Sequence, residues 1–343
     1  MKKRIAFFSV CLTLLWLLQC LLCPKYMTEN PEGALIGEYY ENAGNNDVIF
    51  IGDCEVYENF SPITLWEEYG IPSCIRGSPQ QTIWQSYYLL EDVFRYETPK
   101  VVVFNVLSMK YDTPESTGNQ NRREAYNRMT LDGMRWSSSK VKAILASMTE
   151  QERQWESLFT YLFPILRYHS RWSQLTREDF TYLFRRDAVG INGYLMQTGV
   201  KPAGDAYSEA PLADYTFGQS SFDYLDKIAA LCKEHGTQLL LIKAPSLSPV
   251  WWEEWDAQMV RYAEDRDISY INLLAHQEQI GIDWEQDTYD AGLHLNVYGA
   301  EKAARWLGRV LTESFDLPDR RDDPEISRLW VEKATVYHTQ KQS

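Results

Sequence analysis

Hydrophobic and polar positions divide the chain into one bare apolar run at its start and a long alternating stretch after it. From Ile5 to Cys23 no charged side chain interrupts the sequence, whereas Lys2, Lys3 and Arg4 precede the run and Pro24-Lys25 closes it. As a helix at about 1.5 Å per residue the run is roughly 28 Å long, close to the hydrocarbon thickness of a bilayer. It ends in Leu21-Leu22-Cys23, without the small residues of a cleavage site, and neither Cys20 nor Cys23 follows the small residue of a lipoprotein signal. The reading is an uncleaved signal-anchor over 1–25 followed by a linker over 26–45. Its basic start stays in the cytoplasm, which makes the protein a single-pass protein of the cell membrane with the rest of the chain extracytoplasmic.

From about Asn46 short apolar runs alternate with helical stretches. Asp47 to Ile51, Ser73 to Arg76, Lys100 to Phe104, Gln238 to Lys243 and Ile268 to Leu273 read as buried strands. Between and after them, helical periodicity covers Pro62 to Glu68, Pro79 to about Arg95, Ser220 to His235, Trp252 to Arg266 and Val297 to Glu313, with Asn296 as N-cap of the last. The pattern predicts an α/β domain over 46–316, a central parallel sheet covered by helices. After the third strand the alternation stops. From about 111 to 215 the sequence predicts helices near 138–148, 150–168 and 176–186 and no strand, a large helical insertion. A charged C-terminal tail, 317–343, carries one weak helix from Pro324 to about Tyr337.

Composition narrows the function. Of 343 residues 45% are hydrophobic, enough for one large domain, and the net charge is -14. That balance excludes nucleic acid, whose phosphates need clustered Lys and Arg, and argues against a second docking surface for anionic lipid. Cys11, Cys20 and Cys23 belong to the anchor, leaving Cys54, Cys74 and Cys232. No C-x-x-C pair is present, so neither a zinc site nor a dithiol motif is expected, and no cofactor or metal is implied.

In an open parallel sheet, function gathers at the carboxyl ends of the strands. Cys54 follows the first strand, Gly77 the second and Asn105 the third, and His294 lies in the loop before the last helix of the domain. Acyl transfer needs those parts: an attacking atom, a base to take its proton, and donors aimed at the developing oxyanion. Gly52-Asp53-Cys54 resembles the Gly-Asp-Ser block of the SGNH (GDSL-like) hydrolases, with cysteine where the family has its nucleophilic serine. Gly77 and Asn105 fall in the order of the family's second and third blocks, and His294-Leu-Asn-x-x-Gly299 resembles its last. The chain is most similar to membrane-anchored members that act on cell-envelope polymers, those of teichoic-acid D-alanylation and alginate O-acetylation.

The resemblance implies a flavodoxin-like three-layer α/β/α fold and an esterase or O-acyltransferase. Cys54 would be the nucleophile, His294 the general base and Asp290 the group orienting it. The oxyanion hole would be the backbone of Cys54, the backbone of Gly77 and the Asn105 side chain. It further implies a cell-envelope polysaccharide or small ester as substrate and a membrane acyltransferase as partner. The family places its Asp three residues before the His, and here Asp290 is four before. Gly292 can absorb the extra residue as a bulge, Asp287 is the alternative, and a Cys–His dyad is the third possibility. A thiol beside an imidazole is a competent nucleophile, although sulfur is larger than the oxygen such a site is shaped for. A catalytically silent, glycan- or partner-binding protein and an acyl relay on Cys54 therefore stand beside the enzyme.

Two further features have a plain and a functional reading. Trp251, Trp252 and Trp255 follow the fourth strand, either as helix packing or as a rim on which sugar rings stack. Arg122, Arg123 and Arg128 near Tyr126-Asn127 are either a paired face or contacts for an anionic substrate.

Overall fold

The computed structural model describes residues 2–23, 31–181, 184, 188–204 and 209–342. Its elements run α1 (Lys2–Leu22), a 3-10 turn (Pro31–Ala34), α2 (Leu35–Asn42), β1 (Val48–Gly52), α3 (Cys54–Tyr57), α4 (Pro62–Tyr69), β2 (Ser73–Gly77), α5 (Ile83–Val93) and β3 (Val101–Asn105). The insertion carries α6 (Gln120–Leu131), α7 (Ser138–Ala146), α8 (Trp155–Leu162), α9 (Ile165–Tyr168), a 3-10 segment (His169–Gln174) and α10 (Arg177–Thr181). The chain continues with α11 (Gln219–Glu234), β4 (Gln238–Lys243), α12 (Glu253–Arg266), β5 (Ser269–Asn272), α13 (Gln277–Ile280), α14 (Val297–Ser314) and α15 (Pro324–Lys341).

The five strands form one parallel sheet in the order β2-β1-β3-β4-β5, the flavodoxin-like order. Alternation along β1 separates the two helical layers. Val48 and Phe50 pack with Phe60, Ile63 and the α14 residues Ala303 and Leu307 on one face. Ile49 and Ile51 pack with Trp84, Leu225 and Met259 on the other. Every β1, β2 and β3 residue is buried, as strands covered by helices on both faces must be. The insertion buries Leu131, Ile144, Met148 and Tyr161 against Leu89 and Ile36, so it lies on the α5 side of the sheet as a helical cap. Among its described residues the only β-type pairing is the Ile191–Tyr194 bridge.

Several boundaries differ from the sequence reading. The expected linker holds α2, whose Leu35, Ile36 and Tyr39 are buried, because their i, i+1, i+4 spacing gives even a short helix an apolar face. The helix expected in the tail from Pro324 to about Tyr337 is present as α15 and runs on to Lys341; buried Ile326, Trp330 and Tyr337 fix it to the domain, with Trp330 stacked on Trp66 at 5.3 Å between centroids. The single helix expected over 150–168 is broken between α8 and α9, at Phe163-Pro164, where proline has no N–H to donate to the helical ladder. Of the helix expected over 176–186, α10 is present to Thr181, and residues 182–183 and 185–187 lie outside the described residues.

Candidate active site

The turn Gly52-Asp53-Cys54 lies at the carboxyl end of β1. Asp53 caps α3 by accepting from the Glu55 N–H, at 3.2 Å, and this fixes Cys54 as the first helical residue. A Cβ on Gly52 would meet Val56 Cγ2 at 2.5 Å and Asn105 Cβ at 2.9 Å, so no larger residue fits ahead of the turn. Gly77 pairs with Gly52 in the sheet, and a Cβ there would lie 3.2 Å from the Gly52 carbonyl oxygen and 3.4 Å from that of Asp53. Both glycines thus let three backbones close around the cysteine.

His294 comes from the loop ahead of α14, which Asn296 caps through Oδ1 on the Tyr298 and Gly299 N–H groups. Asp290 holds the histidine twice. Its Oδ1 accepts from the His294 backbone N–H at 2.8 Å, and its Oδ2 lies 2.7 Å from Nδ1. The extra residue before His294 is absorbed by two consecutive left-handed residues, Ala291 at φ +69° and Gly292 at φ +92°. Asn59, fully buried, ties this loop to the sheet, accepting from Leu295 N–H at 2.8 Å and donating to the Pro245 carbonyl at 2.9 Å. Asp287 faces elsewhere: it receives Lys302 Nζ at 2.6 Å and the Asp283 N–H at 2.7 Å. With Nδ1 held by carboxylate, the other ring nitrogen is the one available to Cys54, and thiol and imidazole lie close enough for each to shift the other's protonation.

Asn105 ends β3 as expected, but its amide is turned inward. Nδ2 donates to Asp53 Oδ1 at 3.2 Å and to Glu55 Oε2 at 3.0 Å, while Oδ1 accepts from the Ala244 N–H at 3.1 Å. That last contact fixes which end is oxygen. Both amide hydrogens are therefore committed, and the donor role implied for Asn105 is not open in this arrangement.

Four residues of the site escaped the sequence reading. Glu55 and Lys243 form an ion pair, fully buried, with Nζ at 2.9 and 3.0 Å from the two carboxylate oxygens. Lys243 also donates to the Ala244 carbonyl at 2.6 Å. Glu58, one helical turn after Cys54, brings Oε2 to 3.2 Å from His294 Nδ1 and accepts from Tyr289 OH at 2.6 Å. The signals were present: two glutamates one and four positions after the cysteine, and a lysine ending an otherwise apolar strand. Their spacing alone does not distinguish them from solvated charges.

The electrostatics follow from burial. Removal from water pushes the Cys54 thiol up, with Asp53 adding to the shift and His294 working against it. Burial pushes Glu58 up to about 7 and Asp53, beside Glu55, up to about 6. Burial opposes charge on His294 as well, yet Cys54, Asp290 and Glu58 together hold its ring proton well above the ordinary imidazole range. Two carboxyl groups behind the ring favour the imidazolium, and an imidazolium facing sulfur favours the thiolate. Glu58, Asp290 and His294 place three donor atoms within 4.8 Å of one another, a grouping seen around cations, and here these atoms already share protons among themselves and with Tyr289.

The sequence's other candidates are taken up by packing. Trp255 is buried against Phe217, Trp252 meets Tyr215 edge-on, and Trp251 donates Nε1 to Asp256 at 2.9 Å. Arg123 is paired with Glu152, Arg128 with Asp132 and Glu124, and Arg122 lies over the Tyr126 ring.

No family model matches this chain, and no curated protein matches it. Among solved structures the chain is similar to a proposed acylhydrolase of Bacteroides fragilis, with a TM-score of 0.40 and 12% identity, over 82% of this chain and 97% of that one.

Proposed function

We propose that this protein is an acyl-transferring enzyme, an esterase or O-acyltransferase in which Cys54 is the nucleophile, His294 the general base and Asp290 its orienting carboxylate. The observation that carries the reading is the His294 ring, gripped at Nδ1 by Asp290 at 2.7 Å and near enough to Cys54, at the carboxyl end of the sheet, for each to shift the other's protonation. The ring nitrogen facing Sγ takes the thiol proton, giving the imidazolium that the carboxyl groups behind the ring favour, and the thiolate attacks the ester carbonyl carbon. The tetrahedral intermediate then expels the alcohol, which takes that proton, and leaves a thioester on Cys54. Water or a polymer hydroxyl, deprotonated by the same nitrogen, attacks the thioester and restores the thiol. The Cys54 and Gly77 backbones flank the carbonyl oxygen in this scheme, and Asn105 supports the turn instead of donating.

With α1 as an uncleaved anchor, the substrate is an ester or hydroxyl of a cell-envelope polymer, and a membrane acyltransferase supplies the acyl group in the transferase version. α1 supports this only as a helix long and apolar enough to span a bilayer.

A second reading, a silent protein of the same fold, is favoured by one observation: both Asn105 amide hydrogens are bonded to carboxylates. The test is p-nitrophenyl acetate hydrolysis by the full chain in detergent, with Cys54→Ala, Cys54→Ser and His294→Ala. Loss of activity in the alanine variants supports the thiol enzyme. An inactive parent revived by Cys54→Ser identifies a framework disabled by its cysteine, and silence in every folded variant supports the binding protein.

A further inference from the structure

The helical cap carries an exposed aromatic face that the proposed chemistry does not use. On α8, Trp155 and Phe159 stand one turn apart, and Phe163 follows one turn later at the helix end. Their rings form a continuous row, Trp155 to Phe159 at 6.0 Å and Phe159 to Phe163 at 6.1 Å, and Trp136 joins it at 5.7 Å from Phe163. Leu166 and Trp172 extend the exposed set into the next two segments. Trp155 and Trp172 expose 72% and 71% of their surface, which is unusual for tryptophan. Outside the cap and α1, exposed large apolar residues are mostly scattered singly along the chain.

What adjoins this face is α1. Helix α9, the 3-10 segment after it and α10 all contact α1, and Arg171 donates to the Leu22 carbonyl at 3.3 Å. The contact is confined to the end of the helix: residues 12–18 are exposed, and burial begins at Gln19 and is complete at Leu22. The cap therefore grips α1 where the helix would leave the hydrocarbon, and the bare stretch before the grip is left for lipid.

The geometry points to a membrane-seated collar: the aromatic face around Trp155, Phe159, Phe163 and Trp172 lies in the interfacial layer of the same bilayer that α1 crosses. Tryptophan and phenylalanine suit that layer, where an apolar ring body meets partial hydration. The net charge of -14 sets the chain as a whole against anionic lipid, and the contact proposed is the apolar one of these rings. A collar fixed at two places, the spanning helix and the aromatic face, holds the α/β domain at a set height and tilt above the membrane, where a single flexible tether would leave it free. The inference stands independently of the chemistry at Cys54.

The full chain, reconstituted into phosphatidylcholine vesicles with and without bromine on the acyl chains, reports the contact through tryptophan emission. Trp155→Phe and Trp172→Phe are each expected to reduce the bromine-quenched part of the emission, and Trp306→Phe, on α14, to leave it unchanged. Adding anionic lipid is expected to change none of these. Trp16, inside α1, gives the same quenched background in every sample. A quenched component that stays constant in both Trp155→Phe and Trp172→Phe overturns the collar, and dimerisation of the detergent-solubilised chain in that case assigns the face to a second copy. Quenching that appears only with anionic lipid likewise overturns the apolar contact.

Discussion

Glu58 approaches the same ring nitrogen of His294 that Asp290 holds, at 3.2 Å against 2.7 Å, with Tyr289 OH bonded to its Oε2 at 2.6 Å. His294 is thus backed by two carboxyl groups, one of them raised to about 7 by burial. Below that pH Glu58 is neutral; above it, Glu58 adds a negative charge behind the ring and strengthens the imidazolium.

The raised pKa of Glu58 has a consequence for stability. Between its ordinary value of 4.5 and about 7 the folded state holds a proton that the unfolded state has lost, so stability falls as pH rises through this window. Glu38, also raised to about 7, and Asp53, raised to about 6, act in the same direction. Glu58→Gln removes one of these contributions. Urea unfolding across that pH range is expected to give a shallower decline for the variant, with a difference near neutral pH on the order of 2 kcal/mol. Parallel curves for parent and variant would contradict the assignment.

Asp290 and Asp287 separate a role in chemistry from a role in structure. Asp290→Asn loses the carboxylate on Nδ1 and is expected to lower hydrolysis by about 10²-fold or more with little change in unfolding midpoint. Asp287→Asn weakens the contacts to Lys302 and the Asp283 N–H, and is expected to lower stability while sparing rate. Steady-state rates and unfolding curves on both variants decide it, and exchanged effects would make Asp287 the partner.

The Glu55–Lys243 pair tests what holds the turn beneath Cys54. Lys243→Met leaves a buried carboxylate without its cation and is expected to cost about 3–5 kcal/mol. Lys243→Met with Glu55→Gln keeps an acceptor for Asn105 and removes the orphaned charge, so it should recover most of that loss. Thermal unfolding of the single and double variants gives the comparison, and an equal loss in both would place the energy elsewhere.

Trp330 tests whether α15 belongs to the folded domain. Its ring is 1% exposed and stacked on Trp66, so Trp330→Ala is expected to destabilise by about 3–5 kcal/mol. A change below about 0.5 kcal/mol, the range of neutral surface substitutions, would show that α15 contributes little to the domain's stability.

Much of this architecture is local and could be read along the chain. A short β-branched apolar run such as that of residues 101–104 reads as a strand covered on both sides, and the uncharged stretch before Pro24 is set apart by length and composition. The nearness of Cys54, Gly77, Asn105 and His294 was also accessible, because parallel strands deliver their carboxyl ends to one edge of a sheet. What the sequence could not decide depended on direction and partner. Asp290, not Asp287, meets His294 because Ala291 and Gly292 both adopt left-handed backbone, a choice that spacing does not express. Glu58 becomes part of the site because α3 turns it back under the ring. Asn105 is committed to Asp53 and Glu55 because burying Lys243 draws Glu55 inward. Chain pattern determines which face of an element is apolar; only the assembled interior determines which polar group is left with which partner, since a buried donor or acceptor must take whatever lies within hydrogen-bond reach.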